Sequence, residues 1–177
     1  MGLGKALKTG FEYCFLKGKN DDILISMDTD NSHTISLSYK MAKKLFSNKY
    51  DVIIASRYKK NSKIAGLNFI RKFLSFGAAV LYKIFFPIKN VNDYTSGFRA
   101  FKLMPIKNGW KKNKNFFSEK GFSASADILL KLYKFKLNFY ELPINLRYDL
   151  KKGQSKMKVI NTIYLNLALI IKRKLFF

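Results

Sequence analysis

The stretch Ile23-Leu24-Ile25-Ser26-Met27, followed at once by Asp28-Thr29-Asp30, limits more than any other what this chain can become. A short, almost wholly apolar run fits a strand covered on both faces. Two carboxylates delivered where such a strand runs out into a loop stand where an open α/β sheet keeps its chemistry. Carboxylates at i and i+2 can share a hard divalent cation that carries a diphosphate on its other side. The same triplet also fits an Asp-rich turn closed by side-chain to backbone hydrogen bonds, so the neighbouring segments must decide between the two.

Those segments alternate in period. Leu3, Leu7, Phe11 and Phe15 recur at helical spacing and predict a helix over 3–17 ended by Gly18. Asp22 to Met27 reads as the first strand, and Ser36 opens a helix with Leu37, Met41 and Leu45 inward. Asp51 to Arg57 reads as a second buried strand, parallel to the first, and 58–63 as an exposed loop. Residues 67–86 form the most apolar helix, with Phe69, Phe73, Leu81 and Phe85 as inward candidates and Arg71 and Ser75 sharing a face; Pro87 stops it. In Asp93 to Phe101 a turn feeds a short strand, with Asp93 and Arg99 expected to brace Thr95-Ser96-Gly97 as a buried ion pair. Lys111 to Asn115 reads as a solvated loop, and Ser123 caps a helix through about Lys136 carrying Ile128, Leu129, Leu132 and Phe135 inward. Phe139 to Arg147 is the last strand, which Pro143 confines to an edge or a bulge. Lys151 to Lys156 is a flexible basic loop, and the tail, with Ile160, Ile163, Leu167 and Ile171 on one side, is an amphipathic basic helix.

A formal charge of +23 predicts attraction to an anionic partner, although the Lys, Asn, Ile and Phe richness also fits A+T-rich codon usage. Cys14 and His33, each the single residue of its type, exclude an internal disulfide and a Cys/His zinc site. No apolar run is long enough to span a membrane and no signal-peptide core is present, which predicts a cytosolic chain. A basic nucleic-acid-binding module is the competing class. Against it stand the small number of Arg, the absence of RNP-like or helix-turn-helix signatures, and aromatics at core spacing.

Read with Gly2-Leu3-Gly4-Lys5-Ala6-Leu7, the runs Met27 to His33, Ala55-Ser56-Arg57-Tyr58, Arg71 to Ser75, Asp93 to Arg99, Glu141-Leu142-Pro143-Ile144 and Gly153-Gln154-Ser155-Lys156 stand in a telling order. In that order the chain resembles the inverting, A-type-fold glycosyltransferases of family two, and within them the dolichyl-phosphate and polyprenyl-phosphate sugar transferases. The resemblance implies an α/β, Rossmann-like fold, its mostly parallel sheet flanked by helices. It implies transfer of a hexose, mannose or glucose, from a nucleotide sugar to a polyprenyl or dolichyl phosphate. Asp28 and Asp30 would then hold Mg²⁺ or Mn²⁺ on the donor diphosphate, with Ser32 as a poorer ligand and His33 as a structural hydrogen-bonder. Arg57, Arg71 and Ser75 match positions that grip the acceptor phosphate. Arg147, Ser155 and Lys156 flank a loop that would close over a phosphate, and Arg147 and Lys156 fit ordinary surface charges as well. Asp127 is the only carboxylate where relatives with hydroxyl acceptors carry a Glu-Asp pair; it fits a catalytic role and a solvated helix-start acid equally.

The family opens with a strand, a Pro-x-Tyr-Asn-Glu-type loop and an Asp-Asp-Gly-Ser motif, none of which precedes Gly2. By resemblance, residues 1–157 are the carboxyl-terminal two-thirds of the catalytic domain, lacking its first strands, and 158–177 are a tail helix that holds the protein at the cytosolic face of an anionic membrane. A split gene whose other chain supplies the segment, a truncated gene model and a degenerate paralogue all fit that pattern. A non-catalytic membrane-peripheral subunit is the remaining alternative.

Overall fold

The computed structural model describes residues 2–113, 115–119, 121–150 and 159–176. Its elements run α1 (Leu3–Lys17), β1 (Ile23–Ser26), α2 (Ile35–Phe46), β2 (Val52–Ser56), β3 (Lys63–Ala65), α3 (Phe69–Phe85), β4 (Arg99–Lys102), α4 (Leu103–Lys112), α5 (Ala124–Lys134), β5 (Phe139–Pro143), β6 (Asn145–Arg147) and α6 (Val159–Phe176). The main sheet has the order β1-β4-β2-β5, and β3 and β6 form a second, parallel pair.

This architecture is mixed α/β, and it corrects the expected mostly parallel sheet. Strands β1, β2 and β5 point the same way, but β4 is inserted between β1 and β2 and runs antiparallel to both. Only β2 and β5 are parallel neighbours in the main sheet. The reason is local: the Asp93–Phe98 loop crosses the carboxyl ends of β1 and β2 and drops β4 back between them. Among the described residues, β1 is an edge of the sheet.

Alternation along β2 divides the core. Val52 and Ile54 face a large cluster built with Phe11 and Phe15 of α1, Tyr82 of α3 and Leu129 of α5. Ile53 and Ala55 face a smaller cluster with Leu37, Met41 and Leu45 of α2 and Leu146 of β6. The sheet is covered on both faces, as its apolar runs predict. Pro143 closes β5, an edge strand, where its missing N–H breaks no ladder.

Two helices depart from expectation. Phe69, Phe73, Leu81 and Phe85 of α3 do not turn inward: Phe69 is 79% and Phe73 66% exposed, while Ala79 and Tyr82 make the buried contact. Residues 103–112 form α4, which takes in Lys111 and Lys112 of the expected loop; Pro105 lies in its first turn, where its missing N–H would have no intrahelical partner. The tail helix α6 packs on α3 through Leu169, Ile170 and Asn166, whose side-chain amide accepts from Tyr82 Oη at 2.8 Å. Its Leu167 and Ile171 remain outward.

Candidate active site

Because β1 and β2 share a direction, their carboxyl ends open on one side of the sheet, and the Asp93–Phe98 loop is tied to both. Ser26 Oγ donates to Gly97 O and Ser96 Oγ to Ala55 O, each at 2.8 Å, and the Ala55 N–H donates to Phe98 O at 3.0 Å. Beside this platform lies a cavity of about 1100 Å³. Asp28 and Asp30 line it from the β1 loop, Arg57 from just past β2, and Arg71 and Ser75 from α3; apolar side chains of α1, α3 and α6 make much of the rest, interrupted by polar groups such as Thr95, Ser96 and Asn166.

The loop after β1 is internally braced. Asp30 Oδ1 accepts from the Ser32 N–H at 3.1 Å and from Ser32 Oγ at 2.5 Å, and Ser32 is buried. Ser32 therefore orients Asp30 and is not itself presented as a ligand. The Asp28 N–H donates to His33 Nδ1 at 3.1 Å, and the imidazole stacks on Phe98 at 4.7 Å, so His33 fastens the loop to the core. Among the described residues no three His, Cys, Asp or Glu come together. A cation held here would take two hard oxygens from Asp28 and Asp30 and the rest from ligand phosphates and water. That is the habit of Mg²⁺, so the donor set fits the expected ion.

On the other side, Arg57 is bound rather than free. Its Nε donates to Asp93 Oδ2 at 2.8 Å, its Nη2 to Asp93 Oδ1 and Thr95 Oγ1 at 2.6 Å each, and its Nη1 to Ser75 Oγ at 2.7 Å. Burial opposes the Arg57 charge, but the Asp93 carboxylate outweighs it and raises the guanidinium above its ordinary range. Burial likewise works to raise Asp93, and the charge and hydrogen bonds of Arg57 hold its carboxyl below the usual carboxylate range. A bidentate pair of this kind is costly to break, about 3–5 kcal/mol when one partner is removed. Glu141 completes the frame by accepting from the Asn92 and Asp93 N–H groups, at 2.7 Å each.

This pairing corrects the expected Asp93–Arg99 bridge. Arg99 is 2% exposed and donates to the carbonyls of Ser125 and Tyr94, while its Nε has no partner. Burial lowers its pKa to about 10. Arg71 lines the cavity and makes no hydrogen bond or ion pair among the described residues, which makes its guanidinium the one of the three expected clamps that is available to an incoming anion. Arg57 instead fixes the position of Ser75.

Other expected site residues lie elsewhere. Asp127 is buried but does not line the cavity: Lys131 Nζ sits 2.5 Å from Oδ2, and Arg173 Nε donates to Oδ1 at 2.7 Å, which ties α5 to α6. Arg147 is exposed and paired with Asp149 at 2.6 Å, although its neighbour Tyr148 reaches the cavity. Ser155 and Lys156, with the basic loop that carries them, lie outside the described residues. The sequence reading missed Thr95 and Tyr58 as partners of Arg57 and Ser75. Both fall inside the runs it singled out, but only the crossing of the Asp93–Phe98 loop over β2 shows what they touch.

With this geometry in place, comparison with known proteins is informative. The model of the glycosyl transferase family 2 matches residues 1–112. The chain is also 30% identical over 158 residues to a dolichol-phosphate mannosyltransferase of Pyrococcus furiosus, an alignment covering 89% of this chain and 41% of that protein. The chain thus spans about two-fifths of that relative's length.

Proposed function

Because this chain belongs to glycosyl transferase family 2, we propose that it is a metal-dependent hexosyltransferase, or the acceptor-binding part of one, that uses a nucleotide sugar and a polyprenyl or dolichyl phosphate. The observation that carries this reading is that one cavity is lined by Asp28 and Asp30 on one side, by Arg71 and Ser75 on the other, and by an apolar wall between helices. The name of the Pyrococcus furiosus relative supports mannose as the sugar, with glucose as the alternative.

In this reading Asp28 and Asp30 would hold Mg²⁺ or Mn²⁺ for a donor diphosphate. The ion supplies neutralisation of the negative charge that builds on the leaving nucleotide. Arg71 receives the acceptor phosphate, and Ser75, fixed by Arg57, orients it. An anionic oxygen of that monoester attacks the anomeric carbon as the bond from that carbon to the diphosphate oxygen breaks, and the anomeric configuration inverts. No proton has to be removed from the nucleophile, so positioning and charge take the place of a general base. The site accordingly loses nothing by the distance of Asp127.

The location of the clamp also fits a membrane-bound acceptor. Arg71 and Ser75 sit on α3, whose Phe69, Ile70, Phe73 and Phe76 are all more than half exposed. No helix among the described residues is long and apolar enough to cross a membrane. We place the protein peripherally on an anionic leaflet, on the cytosolic side where nucleotide sugars are made.

The test is transfer of label from a nucleotide hexose into the organic phase, with Mn²⁺ and polyprenyl phosphate, using the chain alone and the chain supplemented with the amino-terminal third of a family relative. Label should move in an acceptor-dependent way, and Asp30→Asn should abolish it while leaving the fold intact. Transfer in neither arm, or undiminished transfer by Asp30→Asn, would overturn the proposal.

A further inference from the structure

The environment of Ser75 contains a hydrogen-bonding question that its position alone leaves open. Its Oγ accepts from Arg57 Nη1 at 2.7 Å, since a guanidinium only donates. It also lies 2.9 Å from Tyr58 Oη, a contact in which either hydroxyl can be the donor. If Ser75 donates to Tyr58, its single proton is spent within the protein. When Tyr58 donates instead, Ser75 accepts twice and its own O–H is left to turn into the cavity, where Arg71 opens one helical turn away.

We infer that Tyr58 is a positioning residue for a phosphate monoester at Arg71, donating to Ser75 so that the serine hydroxyl donates to the ligand. This rests on the acceptor reading above and deepens it, because it places a specificity element one shell behind the residues that touch the phosphate. Tyr58 itself does not line the cavity. The arrangement is held from several directions: the ring meets Phe76 edge-on at 5.9 Å, the Arg57 guanidinium lies 5.5 Å from its centroid, and its N–H donates to Ser56 Oγ at 3.2 Å. Burial raises the phenol pKa against the opposing pull of Arg57, so the hydroxyl keeps the proton it has to give. A relay in which Arg57 and Tyr58 both donate to Ser75 also polarises the serine O–H and strengthens its bond to an anion.

The experiment measures partition of the full chain onto phosphatidylcholine vesicles containing polyprenyl phosphate. Vesicles matched in surface charge with phosphatidylserine, and vesicles with unphosphorylated polyprenol, serve as references; inorganic phosphate is added as competitor to separate a lipid headgroup from free phosphate. The readout is the preference for polyprenyl phosphate over the charge-matched surface. Tyr58→Phe keeps the ring and removes the donor, and it should reduce that preference about three- to tenfold, the size of one ordinary hydrogen bond between neutral groups. Ser75→Ala should do the same, and the double variant should lose no more than either single one. A preference unchanged by Tyr58→Phe, losses that add in full, or an equal fall on all surfaces with a lowered melting midpoint would overturn the relay. A wild-type chain without any preference for the phosphorylated lipid would overturn the acceptor reading, and this inference with it.

Discussion

At the residue scale, the stability of the site rests on Asp93. Its carboxyl lies below the usual carboxylate range in the folded chain, so the pair with Arg57 contributes fully above the unfolded value of about 3.9 and is lost as pH falls through the folded one. Urea denaturation at pH 7 should show Asp93→Asn destabilised by about 3–5 kcal/mol, because the variant leaves the Arg57 charge buried without its counter-ion. Between pH 5 and pH 3 the variant should lose less stability than the wild type, having no carboxylate there to protonate. Equal acid sensitivity in the two would show that other carboxylates govern that range. The sequence reading paired Asp93 with Arg99, the arginine nearer to it along the chain. Arg99 is six positions away and Arg57 thirty-six, yet register decides: Arg99 lies opposite Ile54 and points with it toward α5, whereas Arg57 ends β2 beneath the loop.

At the element scale, α3 shows what periodicity leaves out. Its amphipathicity is inverted: Arg71, Ser75, Ala79 and Tyr82 follow one another at helical spacing on the side that faces the cavity and the core, so inward positions chosen by apolarity came out reversed. The small Ala79 and the hydrogen-bonding Tyr82 make the close contact, and the large aromatics are left outside. By contrast the buried faces of α1 and α2 were legible, with Phe11, Phe15, Leu37, Met41 and Leu45 interior, and Leu129 and Leu132 of α5 are interior too, although α5 is buried on every side from Ala124 to Leu132. The outward face of α3 predicts a separation of effects. Phe73→Glu should change the melting midpoint little, as surface substitutions rarely exceed about 0.5 kcal/mol. It should weaken vesicle partition about tenfold or more, since burying a phenylalanine is worth about 1.5–3 kcal/mol. Light scattering with vesicles of fixed composition would check it, and unchanged partition would remove α3 from the membrane surface.

For the whole molecule, three features among the described residues face outward: the edge of β1, the aromatic face of α3 and the outer side of α6. Unpaired strand edges and apolar faces both invite association, while a charge of +23 opposes it. The balance should depend on salt. Sedimentation at low ionic strength should find mostly monomer, and added salt should drive association that mild detergent or vesicles reverse. Salt-independent monomer would show that these surfaces do not associate.

The insertion of β4 also sets a length. Ser26, Arg99 and Ile54 stand in line across β1, β4 and β2, and β2 runs on to Ser56, so the ends of β1 and β2 lie two strand spacings, about 10 Å, apart across the sheet. Were the two strands adjacent, that gap would be about 5 Å, and charges set by the two loop ends, the Asp28–Asp30 pair on one side and Arg57 with the Ser75 it fixes on the other, would interact about twice as strongly. With the antiparallel strand as spacer, the sheet acts as a gauge: under the proposed function it would leave the breadth of a single sugar ring between donor and acceptor phosphates, a length set in units of backbone hydrogen bonding.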